Sequence, residues 1–201
     1  MSDRLLILFA PGAGAPSTSA WMKAWTKRLS ELGTAVPFDY PYMREGRKAP
    51  DPLPRLIAAH REAAAKAVAA KGGTLVFAGK SMGSRVGCHA SLEEPNVAAL
   101  VCFGYPLKGA GKKQAIRDEV LLALRTPILF VQGTRDPLCP LDMLESVRAK
   151  MKAPSTLHVV SGGDHSLNVS AAALKAAGET QAQSDARVLA AVREFLTKVP
   201  G

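Results

Sequence analysis

What most constrains this chain is a rhythm: strand-sized apolar runs recur at residues 5–10, 35–40, 74–78, 99–103, 128–132 and 156–160, with helix-sized segments between them. Several runs are apolar throughout, as in strands covered on both faces of a parallel sheet. Helices are predicted over 19–32, 52–71, 117–124, 141–152 and 184–198, and from about residue 81 onward. Asp51 before Pro52 reads as an N-cap followed by a proline at the first helical position. Gly33 and Gly72 read as left-handed helix stops. The alternation predicts an α/β three-layer sandwich of about six mostly parallel strands, joined by right-handed crossovers, with helices on both faces. With 201 residues and neither a repeat nor a Pro/Gly/Ser-rich linker, residues 1–201 read as a single domain.

Composition narrows the class of partner. An apolar fraction of 47% and a charged fraction of 21% fit a globular chain and argue against disorder. Cys88, Cys102 and Cys139 are odd in number, and two adjoin apolar stretches, so they read as reduced thiols. The apolar run 5–10 is short for a secretory core and reads as a first strand. No run approaches the roughly 18 apolar residues of a membrane span. These points give a cytoplasmic expectation with no membrane partner. The net charge of +9 raises nucleic-acid binding, but the cations are scattered. The densest group, Lys108, Lys112 and Lys113, lies in a Gly-containing loop without aromatics to stack on bases, so no nucleic-acid partner is expected.

In parallel sheets ligands bind beyond the carboxyl ends of the strands, which directs the search to the residues after each run. Run 74–78 leads into Gly79, Lys80, Ser81, Met82 and Gly83, a G-x-S-x-G pattern between a strand and a helix. A sharp turn there exposes the serine hydroxyl, and small residues two positions to either side leave room for neighbouring chain. Ser84 is a weaker nucleophile candidate, one turn into the helix. A serine needs a base. His165, in the glycine-rich loop after the last run, is the natural one, whereas His60, His89 and His158 fall within helices or a strand. Asp136, just past run 128–132, is placed to orient the imidazole, with Asp164 as the competing acid. Oxyanion donors are assigned to the N–H groups of Met82 and Ala13, the latter in the small-residue loop 11–14. That loop is a poor dinucleotide fingerprint, because Pro16 interrupts it. The reading requires no cofactor and no metal.

The strings PGAG, FDYPYMREGRKAPDP, AGKSMGSR, VQGTRDPL and GGDHSL, spread over most of the chain, resemble the α/β-hydrolase superfamily. The resemblance is to a small dienelactone-hydrolase-like branch that includes the animal testis-expressed hydrolase-like proteins. It implies a minimal hydrolase fold and a Ser81, Asp136, His165 triad, in the family's chain order. The chain departs from familiar members at three points. Pro11 stands where many have a histidine, Ser81 replaces the cysteine of true dienelactone hydrolases, and 105–126 leaves no room for a large lid.

The resulting expectation is a carboxylesterase-like serine hydrolase cleaving a carboxylic ester or thioester of a small molecule through an acyl-enzyme. Its alternative is a catalytically silent scaffold used for protein interaction. Gly12, Tyr42, Met43, Lys80 and Tyr105 are the substrate-contact candidates, and Lys80, Arg44 and Arg135 are positioned to attract an acidic substrate. Oligomeric state is left open.

Overall fold

Successive residues of a strand point to opposite faces, so a strand buried on both sides is apolar at nearly every position and must pair any polar group it buries. That is the state of β1 (Leu5–Ala10), β3 (Thr74–Lys80), β4 (Val97–Phe103) and β5 (Ile128–Gly133). The computed structural model describes residues 4–109 and 115–199. With β2 (Thr34–Pro37) and β6 (Ser155–Val160), these strands form one six-stranded parallel sheet in the order β2-β1-β3-β4-β5-β6.

Helices cover both faces. Leu8, Phe77, Cys102 and Phe130 pack on one face with residues of α3 (Leu53–Lys71), α4 (Met82–Ser91), α5 (Glu119–Ala123) and α6 (Leu141–Arg148). Phe9, Val76, Phe103 and Leu129 pack on the other with α1 (Ala20–Leu29) and α8 (Gln181–Thr197). The chain runs outward from β1 to β2 and then returns to the other side of β1 to lay down β3. This reversal opens a crevice beyond the carboxyl ends of β1 and β3, the place where open α/β sheets accept ligands.

Several sequence expectations are corrected at their edges. The second strand ends at Pro37 instead of reaching residue 40, because Pro41 starts the short helix α2 (Pro41–Arg44). The first helix stops at Leu29, and Gly33 is no helix stop: a Cβ there would lie 2.5 Å from the Leu5 carbonyl oxygen. Gly72 does cap α3, at φ 62°. Asp51 is no cap either, since Pro52 holds the N-cap position. Its buried carboxylate instead accepts from Arg47 at 2.6 Å, Arg55 at 3.2 Å and the Tyr42 N–H at 3.2 Å. Helix α7 (Ala171–Ala177) has no counterpart among the predicted helices, and α8 begins earlier than residue 184 because Thr180 and Gln183 close a capping box. All three cysteines are free and buried. Lys112 and Lys113 lie outside the described residues, and among the described residues no helix is long and apolar enough to cross a membrane.

One buried polar group makes stability depend on pH. His60 of α3 is fully buried, meets the Tyr40 hydroxyl at 3.1 Å through Nδ1, and packs edge-on against Phe77. Burial pulls its pKa from 6.5 down to about 3. The folded protein therefore keeps His60 neutral while the unfolded chain takes up a proton below 6.5, so stability falls as pH drops through that interval. Replacing His60 by Leu is expected to flatten this acid loss. Urea midpoints at pH 7 and pH 4 measure it, and equal losses in both proteins would refute it.

Candidate active site

The turn after β3 is set by two close approaches. A Cβ on Gly79 would lie 2.4 Å from the backbone of Gly83 and Ser84, and one on Gly83 would lie 2.5 Å from the Ala10 carbonyl oxygen. Glycine at both positions lets α4 start hard against β1 and β3. Between them Ser81 takes φ 49° and ψ −113°, a conformation that non-glycine residues rarely adopt. Its N–H is fixed by the Phe103 carbonyl at 3.0 Å.

A similar approach joins the next two strand ends. A Cβ on Gly133 would lie 2.2 Å from the Gly163 carbonyl oxygen, and the Arg135 N–H bonds that same oxygen at 2.9 Å. The glycines thus seat the loop after β6 on the end of β5, which brings His165 to Asp136. His165 Nδ1 lies 2.7 Å from Asp136 Oδ2, and His165 Nε2 lies 2.8 Å from Ser81 Oγ. The carboxylate fixes the tautomer: Nδ1 donates to it, leaving Nε2 to accept from the serine.

The Asp136 side chain is wholly buried and the imidazole is partly exposed. Burial raises the carboxyl's proton affinity, but hydrogen bonds from His165, Leu138 and Gln132 outweigh it and hold Asp136 below its ordinary range. Gln132 Nε2 donates to Oδ2 at 2.5 Å and the Leu138 N–H donates to Oδ1 at 2.9 Å. The rival residues are engaged elsewhere. Asp164 Oδ1 accepts from the N–H groups of Ser166 and Asn168, at 2.7 and 3.0 Å, and Ser84 Oγ donates to the Gly79 carbonyl at 2.5 Å.

A cleft of about 280 Å³ opens over Ser81 and His165, lined also by Gly12, Ala13, Trp21 and Lys80. Gly12 and Lys80 are therefore brought to the serine, as is the loop carrying Ala13. The Met82 N–H opens α4, where helical N–H groups have no partner within the helix. Tyr42, Met43 and Tyr105 do not line this cleft. Tyr42 is buried and its hydroxyl donates to the Ala13 carbonyl at 2.9 Å, so it braces the loop from behind. Burial, followed by Asp51 and Asp39, pushes Tyr42 up to about 12, so the hydroxyl stays a donor. Tyr105 is buried against Phe130 and donates to the Arg117 carbonyl, and Met43 packs beside Tyr40 and Tyr42. The three cations separate: Arg44 lines a cavity between β2 and α3, and Arg135 is exposed in another cleft beside Asp164. Trp21, which the sequence reading missed, carries no motif; only the packing of α1 brings it to the serine. Among the described residues no three His, Cys, Asp or Glu gather as a metal-holding group.

A family model described as an alpha/beta hydrolase domain matches residues 3–197. Among solved structures, a dienelactone hydrolase from Anabaena variabilis is 18% identical with a TM-score of 0.72, covering 98% of this chain and 88% of that one. A serine hydrolase without lid from Xanthomonas campestris is 16% identical with a TM-score of 0.71, covering 100% and 85%. An esterase domain from a Rhodothermus marinus protein is 13% identical with a TM-score of 0.66, covering 98% and 88%. At these identities the likeness shows the shared fold. Like the Xanthomonas protein, this chain carries no large lid: among the described residues, α5 is the one helix between β4 and β5.

Proposed function

The chain belongs to the alpha/beta hydrolase domain family, and from that premise we propose that it is a serine hydrolase cleaving a carboxylic ester or thioester of a small molecule through an acyl-enzyme. The observation that carries this reading is one unbroken relay: Asp136 to His165 at 2.7 Å, and His165 to Ser81 at 2.8 Å, with Ser81 held at a positive φ on the floor of a cleft.

In this reaction His165 Nε2 takes the Ser81 proton as Oγ attacks the acyl carbon. The N–H groups of Met82 and Ala13 receive the developing oxyanion, aided by the positive end of α4. Collapse expels the alcohol or thiol, which leaves with the proton from His165. Water then gives a proton to His165 and attacks the acyl-enzyme, releasing the acid and restoring Ser81. The carboxylate of Asp136 stays ionised throughout and stabilises the imidazolium formed in each half. The small residues of loop 11–14 leave space for a substrate backbone, and the Trp21 ring offers an apolar wall.

A fluorophosphonate probe tests the reading, since it labels only an activated serine. The expected result is labelling of the native protein and none of Ser81→Ala. A native protein that resists labelling would overturn the proposal and favour a silent scaffold. A panel of esters and thioesters of increasing acyl length then identifies the preferred bond.

A further inference from the structure

We infer that Lys80 and Trp21 form a clamp that positions the His165 backbone against the nucleophile's strand. The inference rests on the serine-hydrolase reading and assigns a role to two cleft residues that the relay does not use. Lys80 ends β3, immediately before Ser81, and its Nζ donates to the His165 carbonyl oxygen. Trp21 Nε1, from α1, donates to the next carbonyl, Ser166, at 2.8 Å. The Lys80 ammonium lies 5.4 Å from the centre of the Trp21 ring, within cation–π range. Two successive carbonyls of the base loop are thus held by two donors from different elements, and the donors touch each other.

The surroundings fit a fixed strap. Lys80 is 8% exposed, where a lysine ordinarily extends its amine into water. Among the described residues no carboxylate forms an ion pair with it, so its bonded partner is the loop carbonyl. Trp21 is locked in turn by Phe9, Trp25 and Phe103, at ring separations of 6.2, 5.8 and 6.0 Å. Gly104 leaves the seat empty: a Cβ there would lie 2.5 Å from the His165 carbonyl oxygen. A general base must hold its nitrogen within tenths of an ångström of the proton it removes, and rigid supporting contacts achieve this.

The clamp carries a pH signature. Burial lowers Lys80 to about 8, with Asp136 and Asp164 acting in the opposite direction. The titratable groups facing it are Asp136 after β5 and Asp164 and His165 after β6, while Trp21 and Gly12 present no charge. A neutral amine donates a weaker hydrogen bond than an ammonium. The clamp therefore loosens as pH rises through about 8.

The test is the rate of fluorophosphonate inactivation against pH, together with kcat and KM on neutral and anionic esters. Lys80→Met is expected to slow inactivation about tenfold near neutrality by letting His165 drift. It is also expected to lose the alkaline fall expected of the native protein. The defect is expected in kcat, with KM nearly unchanged. Trp21→Phe keeps the ring and loses one donor, so a smaller decrease with the alkaline fall intact is expected. Native rates and an unchanged pH profile in Lys80→Met would overturn the clamp. So would a rise in KM confined to anionic esters, which would make Lys80 a substrate contact instead. Labelling of native protein but not Ser81→Ala would leave the hydrolase reading standing in either case.

Discussion

Asp136→Asn is expected to slow ester hydrolysis by about 10⁴-fold with little loss of stability. The reason lies in the donors around the carboxylate. Three reach the carboxylate: Leu138 N–H at Oδ1, and both Gln132 Nε2 and His165 Nδ1 at Oδ2. An asparagine has one oxygen, so it must choose. With that oxygen toward Leu138, its NH2 faces Gln132 and His165. Gln132 accommodates the change by rotating its amide, because its Oε1 is buried and unpaired in the native protein and gains a donor. His165 Nδ1 must then accept, which moves its proton to Nε2, where it blocks acceptance from Ser81. The opposite orientation keeps the working tautomer but sets an NH2 against the Leu138 N–H and leaves Gln132 Oε1 unpaired. The inactive arrangement thus exchanges one buried unpaired group, Gln132 Oε1, for another, Gln132 Nε2, and avoids the clash of donors at Leu138. Hydrolysis rates beside thermal unfolding measure both halves, and activity within tenfold of native would show that Asp136 does not set the tautomer.

The parts of this molecule that could be read from sequence are those where one physical demand acts on consecutive residues. β1, β3, β4 and β5 are covered on both faces, so near-continuous apolar runs mark them; Ser81 and Asp136 lie just past two of these runs, and His165 lies in the loop after the edge strand β6. Short elements leave no such trace. Helices α2 and α7 span 4 and 7 residues, too few to display a helical period. Charged residues mislead for a different reason. Asp51 before a proline has the local form of a cap, yet Arg47, Arg55 and the Tyr42 N–H compete for its carboxylate and win. Lys80 reads as a substrate contact placed to attract an acidic group, and only the meeting of Trp21 with the loop after β6 shows why it is buried. Tyr42 and Tyr105 follow strands as substrate contacts would, but their rings point into the core and their hydroxyls are taken by backbone carbonyls.

Gly83→Ala is expected to damage stability and activity together, because one methyl group would strike the backbone that carries the oxyanion loop. Its Cβ would lie 2.5 Å from the Ala10 carbonyl oxygen and 2.7 Å from that of Pro11, inside the 3.0 Å below which real Cβ atoms essentially never approach a neighbour. Neither obstacle is a flexible side chain. Ala10 belongs to β1, bonded to β2 on one side and β3 on the other, so α4 has to withdraw. Withdrawal draws Ser81 and Met82 away from Ala13, separating the two proposed oxyanion donors, and it loosens α4 on the sheet. Overpacking of this kind costs about 1–3 kcal/mol. Misplacement of the reacting groups by about an ångström adds a rate loss on the order of 10²-fold. Gly14→Ala is the stability control, on the loop that Gly83 abuts: its φ is not positive and nothing lies within 4 Å of the added Cβ. The expected outcome is a lowered urea midpoint and slow probe labelling for Gly83→Ala, with a native urea midpoint for Gly14→Ala. If the two variants behave alike, the contact between α4 and β1 is not what holds the nucleophile and the oxyanion loop in register.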